Sequence, residues 1–190
     1  MAFAPAVLIV PGLRDHVEAH WQTLLAAKLP NVKVVPPMGR EDLDCAKRVV
    51  AIEDAIAGMQ GPVLIVAHSG GCIMVAHWAL RSQHLDQVCG ALLAAPPDFE
   101  TPMPDGYPSI AALTAGAWLP VPRQPLPFRS LVCTSSNDPL ASRESAQQLA
   151  HAWHSEILDL GAVGHLNPAS GYGDWPMALD LIHRLSVPAL

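Results

Sequence analysis

Ala67-His68-Ser69-Gly70-Gly71 stands between an unbroken apolar run, Val63-Leu64-Ile65-Val66, and a second apolar run that suits a helix, Cys72-Ile73-Met74-Val75-Ala76. A serine at a strand-to-helix turn, with very small residues two positions before and after it, is the setting of a nucleophile elbow. The turn is expected to be so tight that residues 67 and 71 crowd each other. Strained backbone at Ser69 would expose its Oγ above a sheet. The N–H of Gly70, at the start of the helix, would be open to a developing oxyanion. Ala67, where glycine is more usual, adds a single methyl group that such a turn tolerates. The bland alternative is an N-cap in a tight turn. A phosphate-binding loop does not fit, for want of the P-loop lysine and of the dinucleotide glycine spacing.

A serine becomes a good nucleophile only when a base takes its proton, and histidine is the natural base near neutral pH. Of the nine histidines, eight fall in or beside helical stretches or, for His68, inside the elbow. His165 alone stands in a Gly-His turn after a strand, with Gly161 and Gly164 to let the loop reach Ser69. The acid that orients the base is expected at Asp138, in Ser135-Ser136-Asn137-Asp138-Pro139 after another strand; an Asx-type turn is its structural alternative. Asp98, in Pro96-Pro97-Asp98, is the rival acid. The chain order Ser69, Asp138, His165 is that of the α/β-hydrolases. His151 and His154 lie three apart on a helix but lack a third ligand, so no metal site is expected.

A second oxyanion donor is expected after the first strand, where Pro11-Gly12-Leu13-Arg14 lies. The Leu13 N–H is the candidate, with Gly12 allowing close approach of the backbone. Arg14 is either an exposed arginine or a contact for an anionic group. Leu13, Met38, Phe99, Trp118 and Leu140 all fall near strand ends and could line a small apolar pocket. Gly12, Leu13 and Trp118 are the candidate substrate contacts.

These residues need a scaffold that brings strand ends together, and the chain supplies one. Strands are expected at Val7–Val10, Val32–Val35, Val63–Ala67, Val88–Ala94, Ser130–Ser135 and Glu156–Leu160. Helices are expected at Glu18–Lys28 (with Trp21, Leu24 and Leu25 on its buried face), Asp42–Met59, Gly70–Arg81, Ser142–Trp153 with Ser142 as N-cap, and Trp175–Leu185. Continuous aliphatic strands alternating with amphipathic helices predict a three-layer α/β/α sandwich around a mostly parallel six-stranded sheet. Ligands bind such sheets at the carboxyl ends of the strands. The proline-rich stretch 96–127 is either a rigid loop or a small cap over that edge.

With 190 residues the chain reads as one domain, residues 1–190. A composition of 51 % hydrophobic and 15 % charged residues excludes disorder. A net charge of −6 argues against nucleic acid as a partner. No apolar run reaches the length of a membrane span. Met1–Pro5 has no basic stretch, and the run at residues 6–10 stops at Pro11, so no signal peptide is read. The four cysteines form no C-x-x-C pair, and a cytoplasmic location with reduced thiols is the expectation.

The chain resembles the small serine hydrolases of the α/β-hydrolase fold that include the retinoblastoma-binding-protein-like and YdeN-like proteins. The resemblance runs nearly the whole length. It rests on Val10-Pro11-Gly12 with His20-Trp21, Ala67-His68-Ser69-Gly70-Gly71-Cys72, Ser136-Asn137-Asp138-Pro139, Gly164-His165-Leu166-Asn167 and Ser170-Gly171-Tyr172-Gly173-Asp174-Trp175-Pro176. It implies an α/β-hydrolase fold without a large cap domain and a triad at Ser69, Asp138 and His165. It does not imply a protein-binding role: in Leu43-Asp44-Cys45-Ala46-Lys47 a lysine stands where the retinoblastoma-binding motif requires glutamate. The expected activity is hydrolysis of small esters or amides through an acyl-enzyme, without metal or organic cofactor. An acyltransferase would use the same triad with an acceptor in place of water. A non-catalytic binding module would have no chemical reason to keep all three residues at strand ends.

Overall fold

Aliphatic runs bounded by Pro, Gly and polar turns form six strands in the computed structural model, which describes residues 5–14 and 16–187. They are β1 (Ala6–Val10), β2 (Val32–Val34), β3 (Val63–His68), β4 (Val88–Ala94), β5 (Ser130–Thr134) and β6 (Glu156–Asp159). The sheet order is β2-β1-β3-β4-β5-β6, and every neighbouring pair is parallel. The expected mostly parallel sheet is thus wholly parallel.

The helices are α1 (Trp21–Ala26), α2 (Cys45–Ala57), α3 (Gly70–Ala79), α4 (Ile110–Ala115), α5 (Arg143–Ala152) and α6 (Met177–Ser186). Strand residues alternate between the two faces of the sheet. Leu8, Val10, Ile65, Ala67, Leu93 and Val132 share a core with residues of α2, α3 and α5. Val7, Ile9, Leu64, Val66, Leu92 and Leu131 share one with α1 and α6. Burial on both faces is why the central strands are unbroken in hydrophobicity rather than alternating. Gly90 lets α6 close on the sheet, since a Cβ there would lie 3.2 Å from Leu185 O.

Helix starts depart from the expected ones where a side chain caps first. In α1 the His20 imidazole accepts the Gln22 N–H at 3.2 Å, so the helix begins at Trp21 rather than Glu18. Its buried face carries Trp21, Gln22 and Leu25; Leu24 is only half-buried. Gln22 Nε2 donates to Val10 O and Val66 O, both at 3.1 Å, tying the ends of β1 and β3. Asp44 caps α2 through the Lys47 N–H. Ser142 caps α5 as expected, accepting the Ser145 N–H at 3.0 Å.

The two edge strands are short and partly exposed. On β2, Lys33 Nζ reaches Ala55 O at 3.0 Å. On β6, Glu156 pairs with Arg129 and Arg184, and Asp159 pairs with Arg143.

The stretch 96–127 does two jobs. Leu113, Trp118, Val121 and Leu126 are buried in the core beside α3 and α5. Phe99, also part of that core, lines the cavity at the carboxyl edge of the sheet together with Met103, Tyr107 and Pro108, which form a small cover there. All four cysteines are free thiols. Burial pushes Cys45 up to about 11 and Cys133 up to about 12, so these behave as packing groups. No described helix is long and apolar enough to cross a membrane.

Candidate active site

The chain leaves β1 toward β2 on one side and returns to β3 on the other, so the sheet switches direction between β1 and β3. A crevice opens at such a switch point, and both the elbow and the 11–14 loop empty into it. Ser69 joins β3 to α3 with φ 55° and ψ −131°, a backbone conformation that L-residues rarely adopt and that costs about 1–3 kcal/mol. Its N–H bonds Ala94 O on β4 at 2.9 Å, and its carbonyl accepts the Cys72 N–H at 2.9 Å. The strain is therefore held by a neighbouring strand and by the first turn of α3.

Gly71 is required for a different reason from the one expected. A Cβ there would lie 2.5 Å from Val10 O and 2.8 Å from Pro11 O; the three nearest atoms belong to these residues and not to Ala67. The elbow is small because it nests against the end of β1. A Cβ at Gly12 would lie 3.1 Å from Ser69 Cβ, and one at Gly70 would lie 2.9 Å from Leu13 Cγ. Gly12 and Leu13 thus lie directly against the serine turn.

Ser69 Oγ is 2.8 Å from His165 Nε2. His165 Nδ1 lies 2.8 and 3.0 Å from the two oxygens of Asp138. With a carboxylate on Nδ1, the neutral ring carries its proton there and turns the Nε2 lone pair toward the serine. The His165 and Asp138 side chains are only 4 % and 3 % exposed, so this contact lies out of water. Asp138 Oδ1 also accepts the Leu140 N–H at 2.8 Å, an Asx-type turn. Asp138 thus makes both contacts at once: the turn fixes the carboxylate that the histidine meets. Asp98 instead accepts the Glu100 N–H at 3.0 Å and serves its own turn, so it is not the partner of His165.

The loop carrying His165 is wired at four points. Asn137 Oδ1 accepts the Gly164 N–H at 2.6 Å. Ser170 Oγ accepts the His165 N–H at 3.0 Å, and Asn167 Oδ1 holds Ser170 through its N–H and its hydroxyl. His68 Nε2 lies 2.9 Å from His165 O. Gly164 has φ +61°, and a Cβ there would lie 2.4 Å from Ser170 Cβ, so no other residue fits.

His20, His68 and His165 form a row of rings with centroids 4.7 and 5.0 Å apart, backed by Trp21 edge-on to His68. Burial, reinforced by any charge on His165, holds His20 down to about 4 and His68 well below the usual histidine range. The neutral His68 therefore stands between His20 and His165, and it must carry its proton on Nε2 to donate to the His165 carbonyl. Spacing sets His20 and His68 aside as bases but gives no role to either. The adjacency of His68 to Ser69, and His20-Trp21 among the quoted motifs, were the available signals.

The site opens into a cavity of about 200 Å³. Gly12, Leu13, Phe99 and Leu140 line it, as do Ser69 and His165. Trp118 does not. It is fully buried, its ring lies edge-on beneath Phe99, and its Nε1 donates to Leu43 O at 2.7 Å. Its size and indole N–H suit it to the core, and Phe99 takes the place expected of it. Met38 lies outside this cavity, in the shallow depression beside it. Among the described residues no group of three His, Cys, Asp or Glu side chains could hold a metal; His151 and His154 are exposed on and after α5.

Residues 7–184 match the model of a family described as serine hydrolases. No curated protein matches the sequence. Among solved structures, the chain is similar to a YdeN-like hydrolase from Pectobacterium atrosepticum, with 28 % identity over 95 % of this chain and 90 % of that one, TM-score 0.79. The ydeN product of B. subtilis shares the fold at 14 % identity, covering 95 % and 98 % of the two chains, TM-score 0.74. The esterase domain of a Rhodothermus marinus protein shares it at 17 % identity over 88 % and 81 %, TM-score 0.62.

Proposed function

This chain belongs to the serine hydrolase family, and on that premise we propose that it cleaves small acyl esters or amides through Ser69, His165 and Asp138. The observation that carries the reading is the unbroken contact from Ser69 Oγ to His165 Nε2 and from His165 Nδ1 to Asp138. His165 Nε2 takes the Ser69 proton as Oγ attacks the acyl carbon. The carbonyl oxygen gains the charge and sits against the N–H groups of Gly70 and Leu13, donors that do their work only as that charge develops. Collapse of the tetrahedral intermediate expels the alcohol or amine, which receives the proton from His165. Water then enters, His165 takes its proton, and a second tetrahedral intermediate releases the carboxylic acid and restores Ser69. Asp138 keeps the ring in the useful tautomer and stabilises the imidazolium between the two transfers. The small cavity beneath Phe99 and Leu140 suits a short acyl or alkyl group.

The test is labelling of the purified protein with a fluorophosphonate, with Ser69→Ala as control and peptide mass spectrometry to locate the adduct. A single adduct on Ser69 is the expected result. Folded protein that takes no label would overturn the reading.

A further inference from the structure

The cavity that holds Ser69 also carries two cations that the proposed acyl chemistry does not use. Arg14 and Arg40 both line it, and both guanidinium groups lie against the ring of Tyr107, 5.7 and 4.4 Å from its centroid. Arg14 Nη2 reaches the Tyr107 hydroxyl at 3.4 Å, and Arg40 Nη1 donates to Gly106 O. Among the described residues, Arg40 Nη2 is buried and has no hydrogen-bond partner. A buried donor left unmatched is costly, more so when it is charged, and an oxyanion in the cavity would complete this one.

The surrounding charges make the pair stand out. The chain carries 17 acidic against 11 basic residues. Lys28, Lys47, Arg123, Arg129, Arg143 and Arg184 each have a carboxylate partner. Among the described residues Arg14 and Arg40 have no salt bridge, as Lys33 and Arg81 have none, but only Arg14 and Arg40 of all the Lys and Arg side chains line the cavity, and no described residue lining it is acidic. Glu41 lies beside both arginines only in the outer depression, without an ion pair to either. Two like charges gathered on one aromatic ring repel each other unless an anion joins them.

We propose that the substrates of this site carry an anionic group, a carboxylate or a phosphate, which Arg14 and Arg40 bind while Ser69 faces the acyl carbon. The inference rests on the hydrolase reading for its chemistry but not for its binding. An arginine offers paired N–H donors that match either oxyanion, and Tyr107 supplies the surface on which the two guanidinium groups are held.

Binding and turnover are measured separately. Titration calorimetry compares hexanoate, hexyl phosphate and hexanamide on the wild type and on the Arg14→Gln/Arg40→Gln double variant. At least one anion binds the wild type about tenfold or more tightly than the amide, and the double variant loses that preference. The stronger of the two anions identifies the source. In parallel, kcat/KM is compared for the p-nitrophenyl esters of adipate and of monomethyl adipate, which differ only in the free carboxylate. A carboxylate preference here is expected to collapse in the double variant. Equal binding of all three ligands to the wild type overturns the anion site, even if both esters are hydrolysed, and leaves the hydrolase reading standing. Selective anion binding through the arginines with neither ester cleaved supports the anion site and counts against hydrolysis.

Discussion

Asp138→Asn tests the residue whose two bonds do different work. The asparagine oxygen can still accept the Leu140 N–H, so the turn survives, but its amide would face His165 Nδ1 and favour the wrong tautomer. The expected result is a native circular dichroism spectrum with kcat lower by about 10³–10⁴-fold. His68 is a positioning residue of the opposite kind: it holds His165 by its carbonyl and stays uncharged. His68→Phe should lower kcat about 10- to 100-fold with little change in KM, and His68→Gln, which can still donate to the His165 carbonyl, should recover most of it. Steady-state kinetics on the two variants checks this, and equal losses would assign His68 to packing alone. Ser69, Asp138 and His165 could be read from the sequence because each stands in a short turn whose composition is chemically informative. Asn137, Asn167 and Ser170 also sit in those turns, but their pairing becomes apparent only when the loops after β5 and β6 are brought together. Trp118 was misplaced because an aromatic near a strand end looks alike whether it points into a cavity or into the core.

The elements matter through how closely they approach. Because Gly71 nests against Val10 O and Pro11 O, Gly71→Ala must push the end of β1 away from α3. That same segment leads into Gly12 and Leu13, so the variant is expected to lose stability by about 2–4 kcal/mol and most of its activity together. Chemical denaturation and ester kinetics measured on one preparation check both. Gly164→Ala combines a left-handed backbone with a contact to Ser170 and should cost about 1–3 kcal/mol while loosening His165. The strand order, and all six strand positions to within a residue, were legible because a covered parallel sheet leaves unbroken aliphatic runs. The start of α1 was not, since a histidine cap carries no compositional signal. Neither was α4, a six-residue helix inside a proline-rich stretch.

At the scale of the whole molecule, the buried imidazoles tie folding to pH. His20 is held at about 4 in the folded chain against an unfolded value of about 6.5, and His68 is shifted the same way. Above about 6.5 both states are neutral and neither residue affects the balance. As pH falls from about 6.5 toward 4 the unfolded chain takes up protons that the folded one refuses, so stability drops. His20 alone contributes a loss of order 2 kcal/mol after allowance for its solvent-facing part. His20→Asn retains a capping residue and should flatten the stability curve in this window, as read from urea midpoints at several pH values. Glu53 acts lower on the scale. Burial would raise it, but bonds from Ser82, His84, Gln83 and Trp78 hold it down to about 2, so its contribution is present above about 4.5 and fades below. The brevity of β2 and β6 has a consequence for crowded solution. An exposed strand edge invites other chains to add to it. Here a newcomer at either end would find only three or four residues to bind. At β6 it would also have to displace the arginines held by Glu156 and Asp159. The sheet is thereby closed to further growth, and a chain so rich in aliphatic strand sequence is protected against assembling into fibres from its native state.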